Sequence, residues 1–108
     1  MNDLKTKYDY GVVLEDNDVD RKIANTLDLI NDNLDDGYGA FLDLTDGDAD
    51  GINAYVELKS KMVYYDMDIL NDIKKVCADL GLKCVIDDIP DVDMDWTVTV
   101  TYNVYVAL

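Results

Sequence analysis

From Trp96 to the C-terminus, apolar and polar positions alternate with a period of two. Trp96, Val98, Val100, Tyr102, Val104, Val106 and Leu108 fall on one face, and Thr97, Thr99, Thr101, Asn103, Tyr105 and Ala107 on the other. That pattern predicts a long strand with one face on a core. Ile52, Ala54, Val56 and Leu58 alternate with Asn53, Tyr55 and Glu57 in the same way, which predicts a strand over 52–58. Two further strands are expected at Tyr8–Leu14 and Ala40–Leu44, and another at Lys83–Ile86. The spacing changes over Val19, Ile23, Leu27, Ile30 and Leu34, which recur every three or four residues and predict an amphipathic helix ended by Gly37. Ile69, Ile73, Val76 and Leu80, with Leu70 and Cys77 beside them, predict a second helix, capped by Asp66 or Asp68 and stopped by Gly81.

The Asp- and Gly-rich run from Asp46 to Gly51 reads as a hairpin loop, and Asp87–Asp95 as an acidic loop holding the only proline. Lys59–Tyr65 fits a continued strand, a bend or a short extra strand. The order is β-α-β-β-α-β-β in one domain, residues 1–108. Right-handed crossovers then predict an α+β fold, a ferredoxin-like β-α-β-β-α-β sandwich with an added C-terminal strand. In that topology Glu15–Asp20 and Asp46–Asp50 share one end of the sheet.

Charge changes the picture most. The chain has 108 residues and a net charge of −15. Of its 24 acids, 22 are Asp, although Glu is the better helix former. No Lys or Arg occurs between Lys22 and Lys59, a stretch holding Asp28, Asp32, Asp35, Asp36, Asp43, Asp46, Asp48, Asp50 and Glu57. On the first helix, Asp28, Asp32 and Asp35 or Asp36 repeat at about one turn. Three of these four lie at the C-terminal end, where the helix dipole disfavours anions. A local rule broken this often, with no compensating cation nearby in the sequence, marks a working surface. Tyr38 lies within the acidic stretch, and Tyr beside charge suits an interface.

Such a surface repels nucleic acid and anionic membranes and attracts basic proteins. The N-terminal ten residues are polar, with no signal peptide, and no run is apolar enough to span a bilayer. Cys77 and Cys84 sit at apolar positions without metal spacing, so buried free thiols in a reducing cytoplasm are expected. There is no His and a single Ser, so no enzyme and no cofactor is expected.

In size, charge and distribution of acids the chain resembles the small DNA-mimic inhibitors encoded by phages and mobile elements, the anti-CRISPR and anti-restriction proteins. The resemblance implies a stoichiometric inhibitor of a nucleic-acid-binding host protein, and the acidic stretch itself points to Asp28, Asp32, Asp35, Asp36, Tyr38, Asp43, Asp46, Asp48 and Asp50 as the contact residues. It implies no direct contact with nucleic acid and leaves the oligomeric state open. A second pattern points to calcium: Asp46, Asp48, Asp50 and Glu57, with Gly51, fall at the ligand and glycine positions of an EF-hand loop. Its flanks disagree, because residues 52–58 alternate as a strand and no helix can enter across Gly37 and Gly39.

Overall fold

Asn17 opens the first helix. The computed structural model describes residues 3–34, 42–60, 68–87 and 89–108. Helix α1 spans Asp18–Asn33, and the Asn17 side chain accepts a hydrogen bond from Asp20 N–H at 2.8 Å. Asp18 and Asp20 in the first turn suit the positive end of the dipole. Ile23, Leu27 and Ile30 bury the expected face, while Val19 stays 38% exposed. Helix α2 spans Asp68–Asp79 and buries Ile69, Leu70, Ile73, Val76 and Cys77. Gly81 ends it at φ 73°, and Leu82 N–H closes back on Cys77 O at 2.8 Å.

The described strands are β1 (Asp43–Gly47), β2 (Gly51–Ser60), β3 (Cys84–Ile86), β4 (Asp91–Met94) and β5 (Val98–Ala107). All their pairings are antiparallel. The path runs β1-β2-β5-β3, and β4 pairs with β5 beyond β3 on the same edge. The fold is therefore α+β, with two helices and a five-stranded antiparallel sheet. β2 and β5 pair over ten residues, from Gly51↔Ala107 to Ser60↔Val98. One hydrophobic cluster joins both helices to Ile52, Ala54 and Val56 of β2 and Val100, Tyr102, Val104 and Val106 of β5.

Three expectations need correction. Residues 8–14 form bends and not a strand, so the expected ferredoxin-like strand order is not observed among the described residues. The place between β2 and β3 that such a first strand would take is filled by β5. The cause is local: Gly11 adopts φ 73° in a turn closed by Asp9 Oδ1, and Val12 and Val13 face solvent. Second, the loop 87–95 contains β4. Third, Trp96 lies in the turn before β5 and is 92% exposed, off the buried face. Helix α1 ends at Asn33 with Leu34 extended, short of the expected end at Gly37; Gly37, Phe41, Lys61–Tyr65 and Asp66 themselves lie outside the described residues.

Cys77 and Cys84 are free; Cys77 is buried as expected, and Cys84 is only half-buried. The two thiols hydrogen-bond across α2 and β3. That bond raises Cys77 and lowers Cys84 relative to an ordinary thiol.

Candidate acidic interaction surface

The acidic row on α1 is not free. Residues 4–14 fold back as a loop closed by Leu4 N–H on Leu14 O at 2.8 Å, and this loop lies against the helix. Tyr10, 3% exposed, donates its hydroxyl to Asp28 Oδ1 at 2.6 Å. Lys7 N–H reaches Asp28 Oδ2 at 3.3 Å. Lys7 Nζ lies 2.8 Å from Asp32 Oδ1, which also accepts the Tyr8 hydroxyl at 2.7 Å. The sequence offered no cation in the last helical turn, and Lys7 supplies one from 25 residues upstream. The hydrogen bonds from Lys7 and Tyr8 hold the Asp32 carboxyl below the usual carboxylate range. The same contact raises Lys7. Burial, and then the bond to Asp28, pushes the Tyr10 phenol far above its ordinary value.

Asn31 secures this clasp from beneath. It is 5% exposed; its Nδ2 donates to Tyr10 Oη at 3.2 Å and Leu42 O at 3.0 Å, and its Oδ1 accepts Leu42 N–H at 2.8 Å. At the other end of the helix, the Ile23 side chain packs against Gly47, where a Cβ would come within 2.9 Å of its Cδ1. α1 therefore runs antiparallel to β1, and its N-terminus projects toward the β1–β2 turn. Glu15–Asp20 and Asp46–Asp50 therefore lie toward one end of the molecule, although the strand order differs from the one that led to that expectation.

The remaining carboxylates lie elsewhere than expected. The helices cover one face of the sheet, and no described element covers the other. Pairing places Asp43 beside Tyr55 and Asp46 beside Asn53 on that open face. Asp43 accepts the Tyr55 hydroxyl at 2.9 Å, and Asp46 accepts Asn53 Nδ2 at 2.7 Å. The bond from Asp43 raises the Tyr55 phenol. Glu57 stands on the same face opposite Thr101, and Thr101 is opposite Asp91; Asp93 is opposite Thr99. The result is a diagonal band, Asp46–Asp43–Glu57–Asp91–Asp93, crossing four strands in steps of about 7–10 Å. Lys59 also lies on this face and holds Glu57 at 3.1 Å. Beside the band, Thr45, Asn53, Val85, Asp87, Asn103 and Tyr105 line an open depression of about 530 Å³.

The hairpin tip is pinned. Asp48 Oδ1 accepts the N–H groups of Asp50 and Gly51 at 2.8 and 3.3 Å. Tyr105 lays its ring over Gly51 and donates its hydroxyl to Asp50 O at 3.1 Å. Asp46, Asp48 and Asp50 are exposed. This geometry does not bring the four EF-hand positions together. Glu57 lies about 20 Å along β2 from the turn, and Asp48 is committed to backbone N–H groups. Among the described residues, no group of three or more Asp, Glu or Cys is placed to hold a metal ion.

Of the expected contact residues, Asp43, Asp46, Asp48 and Asp50 are together at the β1–β2 hairpin, Asp28 and Asp32 are on the clasped helix, and Asp35, Asp36 and Tyr38 lie outside the described residues. Asp91 and Asp93 stand on the open face without having been among the expected contact residues. Their signal was the alternation of Asp91, Val92, Asp93 and Met94 inside a stretch read as loop. No described helix is long and apolar enough to cross a membrane. No protein-family model, curated relative or solved structure matches the chain.

Proposed function

We propose that this chain is a DNA-mimic protein that binds a basic nucleic-acid-binding protein, a CRISPR effector or restriction nuclease, and inhibits it stoichiometrically by occupying its nucleic-acid groove. The observation that carries this reading is the band of five carboxylates across the uncovered sheet face, continued by the hairpin tip. A nuclease gains much of its affinity for DNA from Lys and Arg meeting phosphates. Carboxylates held at fixed intervals on a rigid sheet offer those side chains an alternative, and Tyr55 and Tyr105 supply aromatic area beside them. The contact residues are Asp43, Asp46, Asp48, Asp50, Glu57, Asp91 and Asp93; Asp28 and Asp32, clasped on the helix side of the sheet, stand apart from them. Action in the host cytoplasm, without catalysis or cofactor, follows from this reading. Its scaffold is proposed to be a permuted form of the ferredoxin-like sandwich, with β5 in the place of the first strand.

The test is competition. A panel of CRISPR effectors and restriction nucleases is immobilised and titrated with the protein at several salt concentrations, with and without duplex DNA. Mimicry predicts a target whose affinity for the chain falls steeply with ionic strength, as it does for DNA. Saturating DNA should exclude the protein from that target. Simultaneous binding of DNA and protein would contradict the proposal.

A further inference from the structure

Among the described residues, β4 has no strand on its outer edge and no element over either face. It pairs there with β5 alone, and all four of its residues are exposed. Register divides it: Asp91 and Asp93 stand on the open face, opposite Thr101 and Thr99, while Val92 and Met94 stand on the helix side, opposite Val100 and Val98. No described element covers those two side chains, which are 53% and 68% exposed. Trp96, in the following turn, is 92% exposed, and Ile89, in the preceding loop, is 79% exposed. Neither Asp91 nor Asp93 has a hydrogen-bond or ion-pair partner among the described residues.

An unpaired edge with apolar side chains is a template for another strand, and charges on it decide which strands are admitted. We propose that β4 is a strand-addition site for an extended segment of a basic protein in which Lys or Arg alternates with apolar residues. Backbone groups on the outer edge of β4 supply the ladder, and side-chain alternation supplies the specificity. In that register the basic side chains face Asp91 and Asp93, and the apolar ones meet Val92, Met94 and the indole of Trp96. A second copy of this chain is the wrong occupant. Any register that sets Val92 and Met94 of one copy against those of another also sets Asp against Asp, and like charges directly opposite are destabilising. The proposal rests on the preceding section only for the sign of the partner's charge.

The experiment is an amide NMR titration of the full chain at about 150 mM salt. One probe is a short peptide of alternating Lys and Val, and the other has the same composition in block order, Lys then Val. The alternating peptide should shift and slow the exchange of the amides of residues 91–96, and should bind about tenfold more tightly than the block peptide. N-methylation of its alternate amides, on the edge facing β4, should abolish binding. Asp91→Lys with Asp93→Lys should weaken it by a similar factor while the melting temperature holds. Equal affinity for both peptides would overturn strand addition, because bare charge attraction would then suffice. Shifts confined to Asp43, Asp46 and the hairpin would also overturn it, and would leave the acidic-surface reading standing. Docking at residues 91–96 by a chain that binds no target in competition with DNA would uphold strand addition and remove the mimic reading.

Discussion

Asn31 is the side chain on which the acidic helix depends. It is the polar residue that the described core buries, and it satisfies both backbone groups of Leu42 and the Tyr10 hydroxyl. Asn31→Ala removes the partner it gives to Leu42 N–H and Leu42 O and one of those at the Tyr10 hydroxyl, which keeps Asp28, and should cost about 3 kcal/mol, read as a lower urea midpoint at unchanged slope. Gly51 matters for a different reason. Tyr105 lies where a Cβ would go, so Gly51→Ala must displace the ring and its bond to Asp50 O. A loss of about 1–2 kcal/mol is expected, with faster amide exchange at the hairpin tip. Tyr105→Phe should account for only part of that loss, because it keeps the ring and removes the hydroxyl.

At the scale of elements, the N-terminal loop and α1 form one electrostatic unit. Asp32 is lowered in the fold, so its contribution is present above the ordinary carboxylate value near pH 4 and fades as pH falls below it. Lys7 is raised, so its contribution is present below the ordinary lysine value near pH 10 and fades as pH rises through the shifted one. Tyr10 is also raised, and destabilises the fold once the unfolded phenol ionises, above about pH 10. The clasp is therefore whole between these limits. Side-chain NMR should find Asp32 titrating below the usual range, and Lys7→Ala should return it toward that range. Asp32→Lys sets a cation against Lys7 and should release the loop, lowering the melting temperature. A helix face that was merely solvated would tolerate that change.

Much of this architecture was legible in the sequence. Both helices, β2, β5 and the hairpin followed from apolar spacing, because each buries one regular face. The clasp was not legible, since Lys7 and Asp32 meet only through tertiary folding. The strand expected over 8–14 does not form around Tyr8, Tyr10 and Val12. Two of those residues serve the helix, and Gly11 turns the chain before the third. β4 was hidden for the opposite reason: it buries nothing, so its period of two carried no core signal. The site was half visible. The excess of Asp between Lys22 and Lys59 was plain, but its division between a clasped helix and an open sheet face depends on strand pairing.

For the molecule as a whole, a charge of −15 opposes folding and favours basic partners. Added salt screens the self-repulsion, so the melting temperature should rise as NaCl is added, most steeply up to about 0.15 M. Affinity for a basic target should fall over the same range. A melting temperature that drops with salt would mean that ion pairs such as Lys7–Asp32 outweigh the repulsion.

The most direct measurement compares charge reversal on the two acidic surfaces, using a nuclease that the chain binds in competition with DNA. Asp43→Lys, Glu57→Lys and Asp91→Lys combined reverse the centre of the band at exposed or half-exposed positions. Like charges across the interface should then cost several kcal/mol, a loss of at least about a hundredfold in affinity, with melting unchanged or raised. Asp79→Lys, the same kind of change on α2 away from the sheet face, should cost little beyond the general loss of net charge. If the sheet-face triple variant keeps its affinity, or loses no more per charge than this distant change, the uncovered face is not the binding surface.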